Sequence, residues 1–338
     1  WRGFTIANTG NFAVIVGTNY GTLTIRELIE NGNGQAIFLN TGTADVIYTL
    51  IASTASDNTF SPIRVTNSTI TNFTVVGGVT IQNPEATGIY LADNTGGTFS
   101  LDDVSITRTT LTTGAGVILG DGSAQTTPVT FNTLLITNSA GSGLIGNEQQ
   151  GTITVTSSVG SNITVTNGTA IDIRRAVGTT SLSMNLNLVS ASGGNNGVVL
   201  QGVGGTVTAV GGTIDSSAGV NNHVVDVRNA TVNFTYPGNI NKTTNGYAVF
   251  VDNLTTPSGS LSLSGTTTGS NGSLGVIIQN SEGDVSFGTL SLGTSGARFT
   301  TTPITITNNS GTVNLGLVNA FSNTATTLND TGNAGTIN

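Results

Sequence analysis

A four-residue pattern returns along the whole chain at nearly constant spacing. It consists of a small residue, an apolar residue, a variable residue and a second apolar residue. Its twelve copies read AVIV (13), AIFL (36), PIRV (62), GIYL (88), GVIL (116), GLIG (143), AIDI (170), GVVL (197), VVDV (224), AVFV (248), GVII (275) and PITI (303). The intervals between copies are 23 to 28 residues. Such a period is typical of a repeat protein in which each unit stacks on the next.

Two further short alternating runs lie between successive copies, such as TFSL and VSI within residues 98–106. Apolar and polar residues alternate in these runs, and Gly, Asn, Ser and Asp separate them, which predicts short strands joined by turns. Three short strands in each period correspond to one coil of a parallel β-helix. We therefore expect an all-β fold, a single-stranded parallel β-helix of about twelve coils of 23–28 residues, forming one domain over residues 1–338.

Side chains alternate along a strand, so the two apolar positions of each copy point into the helix. The first of them forms a uniformly aliphatic inner column: Val14, Ile37, Ile63, Ile89, Val117, Leu144, Ile171, Val198, Val225, Val249, Val276 and Ile304. No single coil could bury its own apolar face, so we expect these residues to stack on one another from coil to coil. The fourth residue after the inner position is predicted to form a repeated sharp corner, because it is Asn or Asp in seven coils. These corner residues are Asn67, Asp93, Asp121, Asn229, Asn253, Asn280 and Asn308.

Composition excludes several classes of function. The net charge is −8, with nine Lys and Arg residues in all, which argues against nucleic acid and anionic membranes as partners. There is no Cys and only one His, so we expect no metal site and no other cofactor. No apolar run is long enough to cross a bilayer as a helix, and we expect no membrane insertion of this segment. The chain begins with Trp inside a strand-like pattern, and we expect it to be part of a longer protein.

The variable residue of each pattern should face outward, and in most copies it is apolar. One interpretation is that a loop or neighbouring side chains cover this outward column. The other is that it forms a contact stripe for a partner. The candidate binding residues are Phe38, Tyr90, Ile118, Ile145, Phe250 and Ile277.

The densest group of ionisable residues lies in the same region. Asp172 and Asp226 occupy the outward column two coils apart, and Arg174 and Arg228 follow two residues later on the same side. Stacking alone places the carboxylates about 9–10 Å apart, at the edge of the separation that an inverting glycosidase uses. The alternative is that each Asp and its Arg form an ordinary surface ion pair.

The strand pattern and the Thr/Asn/Gly richness resemble right-handed parallel β-helices of the pectate-lyase-like superfold. The composition is most similar to autotransporter passengers, bacterial surface adhesins and polymorphic outer-membrane proteins; GGVTI (77–81) approximates a tetrapeptide of the last group. This resemblance implies a right-handed coil of three strands and a non-enzymatic segment, extracellular or displayed on an outer membrane. Its partner would be a surface protein, a glycan or a second copy.

Two other functions remain open. The first is a carbohydrate-active enzyme, a polysaccharide lyase or glycoside hydrolase, acting through Asp172 and Asp226 with the neighbouring arginines. The second is an ice-binding β-helix, because outward Thr and Ser recur in runs such as LTI, FTV, VTF and ITV.

Overall fold

The computed structural model describes residues 61–109, 113–216, 222–256, 259–270, 272–323 and 326–338, together with strands between residues 5 and 56. This part of the chain is all β, with no helix. The strands are β1 Thr5–Ala7, β2 Phe12–Val16, β3 Thr22–Arg26, β4 Ile29–Asn31, β5 Gln35–Asn40, β6 Val46–Ser56, β7 Ile63–Thr66, β8 Ile70–Gln82, β9 Ile89–Ala92, β10 Thr98–Leu101, β11 Val104–Arg108, β12 Val117–Gln125, β13 Val129–Phe131, β14 Leu134–Asn138, β15 Leu144–Gln149, β16 Ile153–Val155, β17 Asn162–Thr166, β18 Ile171–Arg174, β19 Thr180–Ser192, β20 Val198–Gln201, β21 Val203–Gly211, β22 Thr213–Ser216, β23 Val225–Thr235, β24 Asn239–Lys242, β25 Tyr247–Leu254, β26 Ser260–Gly269, β27 Gly275–Gln279, β28 Asp284–Leu292, β29 Ile304–Thr307, β30 Val313–Asn314, β31 Leu317–Ala320 and β32 Leu328–Thr331.

Each strand pairs in parallel with strands of the coils before and after it, which makes the fold a parallel β-solenoid. The strands that carry the four-residue pattern stack on one another and form sheet 1: β2, β5, β7, β9, β12, β15, β18, β20, β23, β25, β27 and β29, continued by β32. The intervening strands form sheet 2, and the long strand β23 contributes to both sheets. The backbone hydrogen bonds of each coil therefore go to its neighbours.

The predicted inner column is confirmed. Val117 pairs with Ile89 and with Leu144, and Leu144 pairs with Ile171. The same register continues to Ile304 and then to Leu328. The members from Ile63 to Ile304 are at most 2% exposed. Burial of each such side chain contributes on the order of 1.5–3 kcal/mol, so this column is a main source of stability.

The small residue that opens the pattern has a packing reason. A Cβ atom at Gly143 would lie 2.5 Å from Cγ2 of Ile163, and one at Gly197 would overlap Ile214. Ile163 lies in β17 and Ile214 in β22, both strands of sheet 2, and each packs against the start of a sheet 1 strand. A larger residue would force this corner of the coil apart.

The predicted corner residues adopt the left-handed conformation, with φ between 48° and 58° at Asn67, Asp93, Asn229, Asn253, Asn280 and Asn308. Asp121 was predicted to do the same, which is wrong, because Gly120 (φ 71°) and Gly122 (φ 80°) take the positive φ values there. Stacked corner amides also bond to one another. Nδ2 of Asn253 donates to Oδ1 of Asn229 at 2.8 Å.

Two details of the sequence prediction need correction. The solenoid has about nine turns rather than the twelve predicted from the sequence. Three separate strands per coil occur in several coils, such as β9 to β17, β20 to β22 and β29 to β31, whereas adjacent runs merge in others, as in β19 and β28. Two runs merge into one strand where the backbone between them stays extended and makes no turn. The single domain over residues 1–338 stays a prediction.

Candidate interaction face

The outward residues of sheet 1 form two parallel columns. The first, here called column 1, contains Arg64, Tyr90, Ile118, Ile145, Asp172, Val199, Asp226, Phe250, Ile277, Thr305 and Asn329, each paired in register with the next. Successive members lie one strand spacing apart, about 4.8 Å. The candidate binding residues Tyr90, Ile118, Ile145, Phe250 and Ile277 are half-buried there. The side chain of Phe38 lies outside the described residues.

Column 2 stands two residues further along the same strands, or three in β12, where the register shifts. It contains Asp121, Asn147, Arg174, Gln201, Arg228, Asp252, Gln279 and Thr307, again in register from coil to coil. Sequence analysis placed only the two arginines in this column. The signal for the rest was available, because residues two apart on a strand share a face. The face of sheet 1 thus combines a column in which six of eleven residues are apolar with a column of carboxylates, amides and guanidinium groups.

Each candidate catalytic carboxylate is held by its own arginine. Nε and Nη2 of Arg174 donate to the two carboxylate oxygens of Asp172 at 2.6 and 3.2 Å. Arg228 makes the same two bonds to Asp226, at 2.6 and 3.0 Å. Planar bidentate pairs of this kind are stronger and more directional than single contacts. Val199, which separates the two pairs in column 1, is buried.

The two ion pairs differ in their burial. The side chain of Asp226 is 9% exposed, against 21% for Asp172. Burial raises the pKa of Asp226, although the hydrogen bonds and charge of Arg228 oppose that shift. Hydrogen bonding to Asp172 raises the pKa of Arg174. Loss of its arginine would therefore cost more free energy of folding at Asp226 than at Asp172, because Asp226 would be left as a buried carboxylate without a partner.

An aromatic cluster adjoins the second ion pair. The ring of His223 stacks on Phe250 with centroids 4.5 Å apart and an interplanar angle of 6°, and Tyr247 contacts both rings. Cζ of Arg228 lies 4.5 Å from the centroid of Phe250. The sequence placed Phe250 on the face and His223 in the same region, but it gave no signal for Tyr247, which precedes the inward position of its strand.

His223 is held as a neutral ring. The backbone N–H of Tyr247 donates to its Nδ1 at 3.2 Å, so the ring proton belongs on Nε2. Burial lowers the pKa of His223 to about 4, and the positive charges of Arg228 and Lys242 add to this shift. Lys242 is itself fully buried, and its Nζ lies 3.4 Å from Oγ of Ser216.

Tyr90 anchors the opposite end of the face. Its hydroxyl donates to Oδ2 of Asp121 at 2.7 Å, and the guanidinium of Arg64 lies 5.1 Å from its ring centroid. Burial and the bond to Asp121 raise the pKa of Tyr90 to about 12. These contacts fix the ring in place and leave its hydroxyl as a hydrogen-bonding group of the face.

A shallow depression of about 180 Å³ lies on the face, lined by Ile145, Gly146, Asn147, Asp172 and Arg174. Asp226 does not line it, so this depression brings one of the two candidate catalytic carboxylates to a bound ligand and not the other. Among the residues that the structure describes, no group of three or more His, Asp or Glu side chains could hold a metal ion.

Sheet 2 carries a hydroxyl column on its outward side. Thr74, Ser100, Thr130, Thr154, Ser183 and Thr206 pair in register on consecutive coils. The lengths of the coils vary, but these six residues stay in register. This column is the structural counterpart of the ice-binding hypothesis, which stays a prediction.

The described residues contain no helix long and apolar enough to cross a bilayer. No family model, curated protein or solved structure matches the chain.

Proposed function

We propose that this chain is a non-enzymatic, extracellular or cell-surface segment, of the adhesin or autotransporter-passenger kind, that binds a partner through the outward face of sheet 1. The observation that carries the proposal is the continuity of this face. Half-buried apolar side chains at Tyr90, Ile118 and Ile145 stack on three successive coils, and Asp121, Asn147 and Arg174 lie beside them, each one coil further along. Apolar area beside planar hydrogen-bonding groups is typical of a protein interface.

Rigidity supports the same proposal. The side chains of the face are fixed by the strand register and by bonds such as Arg174 to Asp172 and Tyr90 to Asp121. Because these side chains are already fixed, the surface loses little conformational freedom when a partner binds, which favours affinity. The low charge of the chain, 8% Asp, Glu, Lys and Arg, fits a partner recognised by shape and hydrogen bonds more than by charge.

The test compares the outward faces of sheet 1 and sheet 2 of the solenoid. The purified chain is passed over immobilised neutral polysaccharides, acidic polysaccharides and extracellular-matrix proteins, and binding is measured by surface plasmon resonance. Ile118→Lys or Ile277→Lys should weaken binding at least tenfold, because each buries a charge in the contact. Thr154→Lys, an outward change on sheet 2, is the matched control and should leave binding unchanged. Equal effects of all three variants would overturn the assignment to sheet 1.

A carbohydrate-active enzyme is the second candidate, favoured by the depression that Asp172 and Arg174 line. In this alternative Asp172 acts on a sugar chain and Arg174 orients it. Release of reducing ends or unsaturated products from the same polysaccharides, abolished by Asp172→Asn, would establish it. Turnover that Asp172→Asn leaves unchanged would exclude this site as its source.

A further inference from the structure

Starting from Val199, the outward residues of sheet 1 follow nearly the same order in both directions along the solenoid axis. Column 1 has Val199 at its centre, flanked on either side by an aspartate, Asp172 or Asp226. The next members outward are both large and apolar, Ile145 on one side and Phe250 on the other. Beyond them, Ile118 and Ile277 follow in the same way.

Column 2 is complementary about the same coil. Gln201 is its centre, flanked by Arg174 and Arg228. One step further out, Asn147 on one side corresponds to Asp252 on the other. One step beyond that, Asp121 corresponds to Gln279, so an amide is matched with a carboxylate in both cases.

We propose that this face binds a second copy of the chain, antiparallel, about a two-fold axis that runs along the strand of Val199 and Gln201. This inference rests on the proposed function, since it names the partner of the same face. A two-fold interface requires a self-complementary patch in which residue i contacts j and j contacts i. The order of both columns about one coil meets that requirement.

The antiparallel arrangement sets apolar side chains of one copy against apolar side chains of the other. Ile145 faces Phe250 of the partner subunit, and Ile118 faces Ile277 of the partner subunit. The amide of Asn147 donates to Asp252 of the partner subunit; Oδ1 of Asp252 already accepts from Asn280, and Oδ2 is available for this bond. A parallel arrangement would instead exchange the two columns and set apolar side chains against Asn147 and Asp252, which costs desolvation without hydrogen bonds.

The ion pairs lie at the centre of the interface, where the antiparallel arrangement sets Asp172 opposite Asp226 of the partner subunit and Arg174 opposite Arg228 of the partner subunit. Like charges therefore face each other, but each carboxylate is already neutralised by its own arginine. The pairs meet as units without net charge and contribute little attraction, so the apolar and amide contacts further from the axis supply the affinity.

The size of the face sets the expected strength. From Ile118 to Ile277 there are six strand spacings of about 4.8 Å, hence roughly 30 Å of length, and the two columns are about 7 Å apart. A strip of this size falls short of the roughly 800 Å² per partner that stable complexes bury. The dimer should therefore be weak and should depend on protein concentration.

Crosslinking tests the arrangement, because the chain has no Cys and every introduced thiol is unique. Packed sheet faces lie about 10 Å apart, so a bismaleimide with a spacer of that length fits the gap. Gln201→Cys should crosslink to itself. Ile118→Cys and Ile277→Cys should each crosslink poorly alone and at least tenfold better when the two variants are mixed.

A charge exchange gives an independent readout by sedimentation velocity. Asn147→Asp should weaken the dimer at least fivefold, because two carboxylates then face each other, and adding Asp252→Asn should restore it. Circular dichroism checks that each variant is folded. The proposal is overturned if Ile118→Cys alone crosslinks as well as the mixture does, or if the chain remains monomeric at every concentration tested. A monomer that still loses polysaccharide or protein binding on Ile118→Lys would leave the proposed function standing and remove only the second copy as the partner.

Discussion

His223 is held in place by contacts that the residues next to it in the sequence do not predict. It is the only His in the chain, and it is buried between a backbone donor, the N–H of Tyr247, and the ring of Phe250. Arg228 and Lys242 are the cations near it, and Asp226 is paired with Arg228. A proton on Nδ1 would break the bond from Tyr247 and add a third positive charge to this cluster.

The pH dependence of stability follows from this environment. The pKa of His223 is lowered to about 4 in the folded chain, from 6.5 when unfolded, so folding favours the neutral ring. This contribution is fully present above pH 6.5 and is lost as the pH falls through 4; it is on the order of 3 kcal/mol. NMR titration of the single imidazole should give the low pKa directly, and a value near 6.5 would contradict it.

His223→Gln is the control for that measurement. Urea unfolding of the parent chain should lose more free energy than this variant between pH 7 and pH 4. Asp226 acts in the opposite sense, because its pKa is raised on folding, and it is present in both proteins. The difference between the two pH profiles therefore isolates His223.

At the scale of the element, the strand and the corner that follows it were both predictable. The four-residue pattern defined the inner column because apolar residues alternate, and the column is buried as expected. The corner was predictable where Asn or Asp occupied it. It was not predictable at Glu148, which has φ 57° and whose Oε1 accepts from the N–H of Ala176. Register with the neighbouring coils overrides the poor intrinsic preference of Glu for this conformation.

The polar interior of the corner was also missed. Asn94 is fully buried; its Nδ2 donates to the carbonyl of Val65 and to Oε1 of Gln125. Gln149, one coil further, donates to the carbonyls of Thr127 and Gly151. Alternation in sequence distinguishes inside from outside on a strand, but it does not indicate which polar residues beyond the strand turn inward to satisfy backbone groups.

The corner ladder gives a prediction at this scale. Asn253 combines a left-handed backbone (φ 58°) with a bond from its Nδ2 to Oδ1 of Asn229. Asn253→Ala loses the bond and strains the backbone, so it should destabilise the chain by about 2 kcal/mol. Asn253→Gly loses only the bond and should cost less, and the two are compared by urea unfolding. Equal costs would mean that the conformation carries no strain.

At the scale of the whole molecule, stability is a sum over coils and the contacts between neighbouring coils. The register that stacks Val117, Leu144 and Ile171 is the same from coil to coil, so any one coil is geometrically replaceable by the next. The repeat pattern already indicates which residues of separate coils share a rung. What the sequence could not supply is the register shift in β12 that brings Asp121 level with Asn147.

Removal of one coil tests this view of the molecule. Deleting residues 144–170 joins Gly143 to Ile171, a position equivalent to the one that Gly143 occupies before Leu144, so β12 can pair directly with β18. The shortened chain should keep its β-sheet circular dichroism and unfold cooperatively. Its urea m-value should fall by about one-twelfth, the share of 27 residues in 338, because m scales with the surface exposed on unfolding.

A deletion of residues 144–157 is the matched control, since it removes half a coil and brings the wrong strand beneath Val117. That chain cannot stack its inner column, and it should lose cooperative unfolding. If the half-coil deletion unfolds as cooperatively as the full-coil deletion, stacking in register is not what holds the solenoid together. The full-coil deletion also removes Ile145 and Asn147 from one side of Gln201 and leaves the other side intact, so the proposed two-fold match is broken. Self-association should then disappear while folding persists, which separates the two uses of the same register.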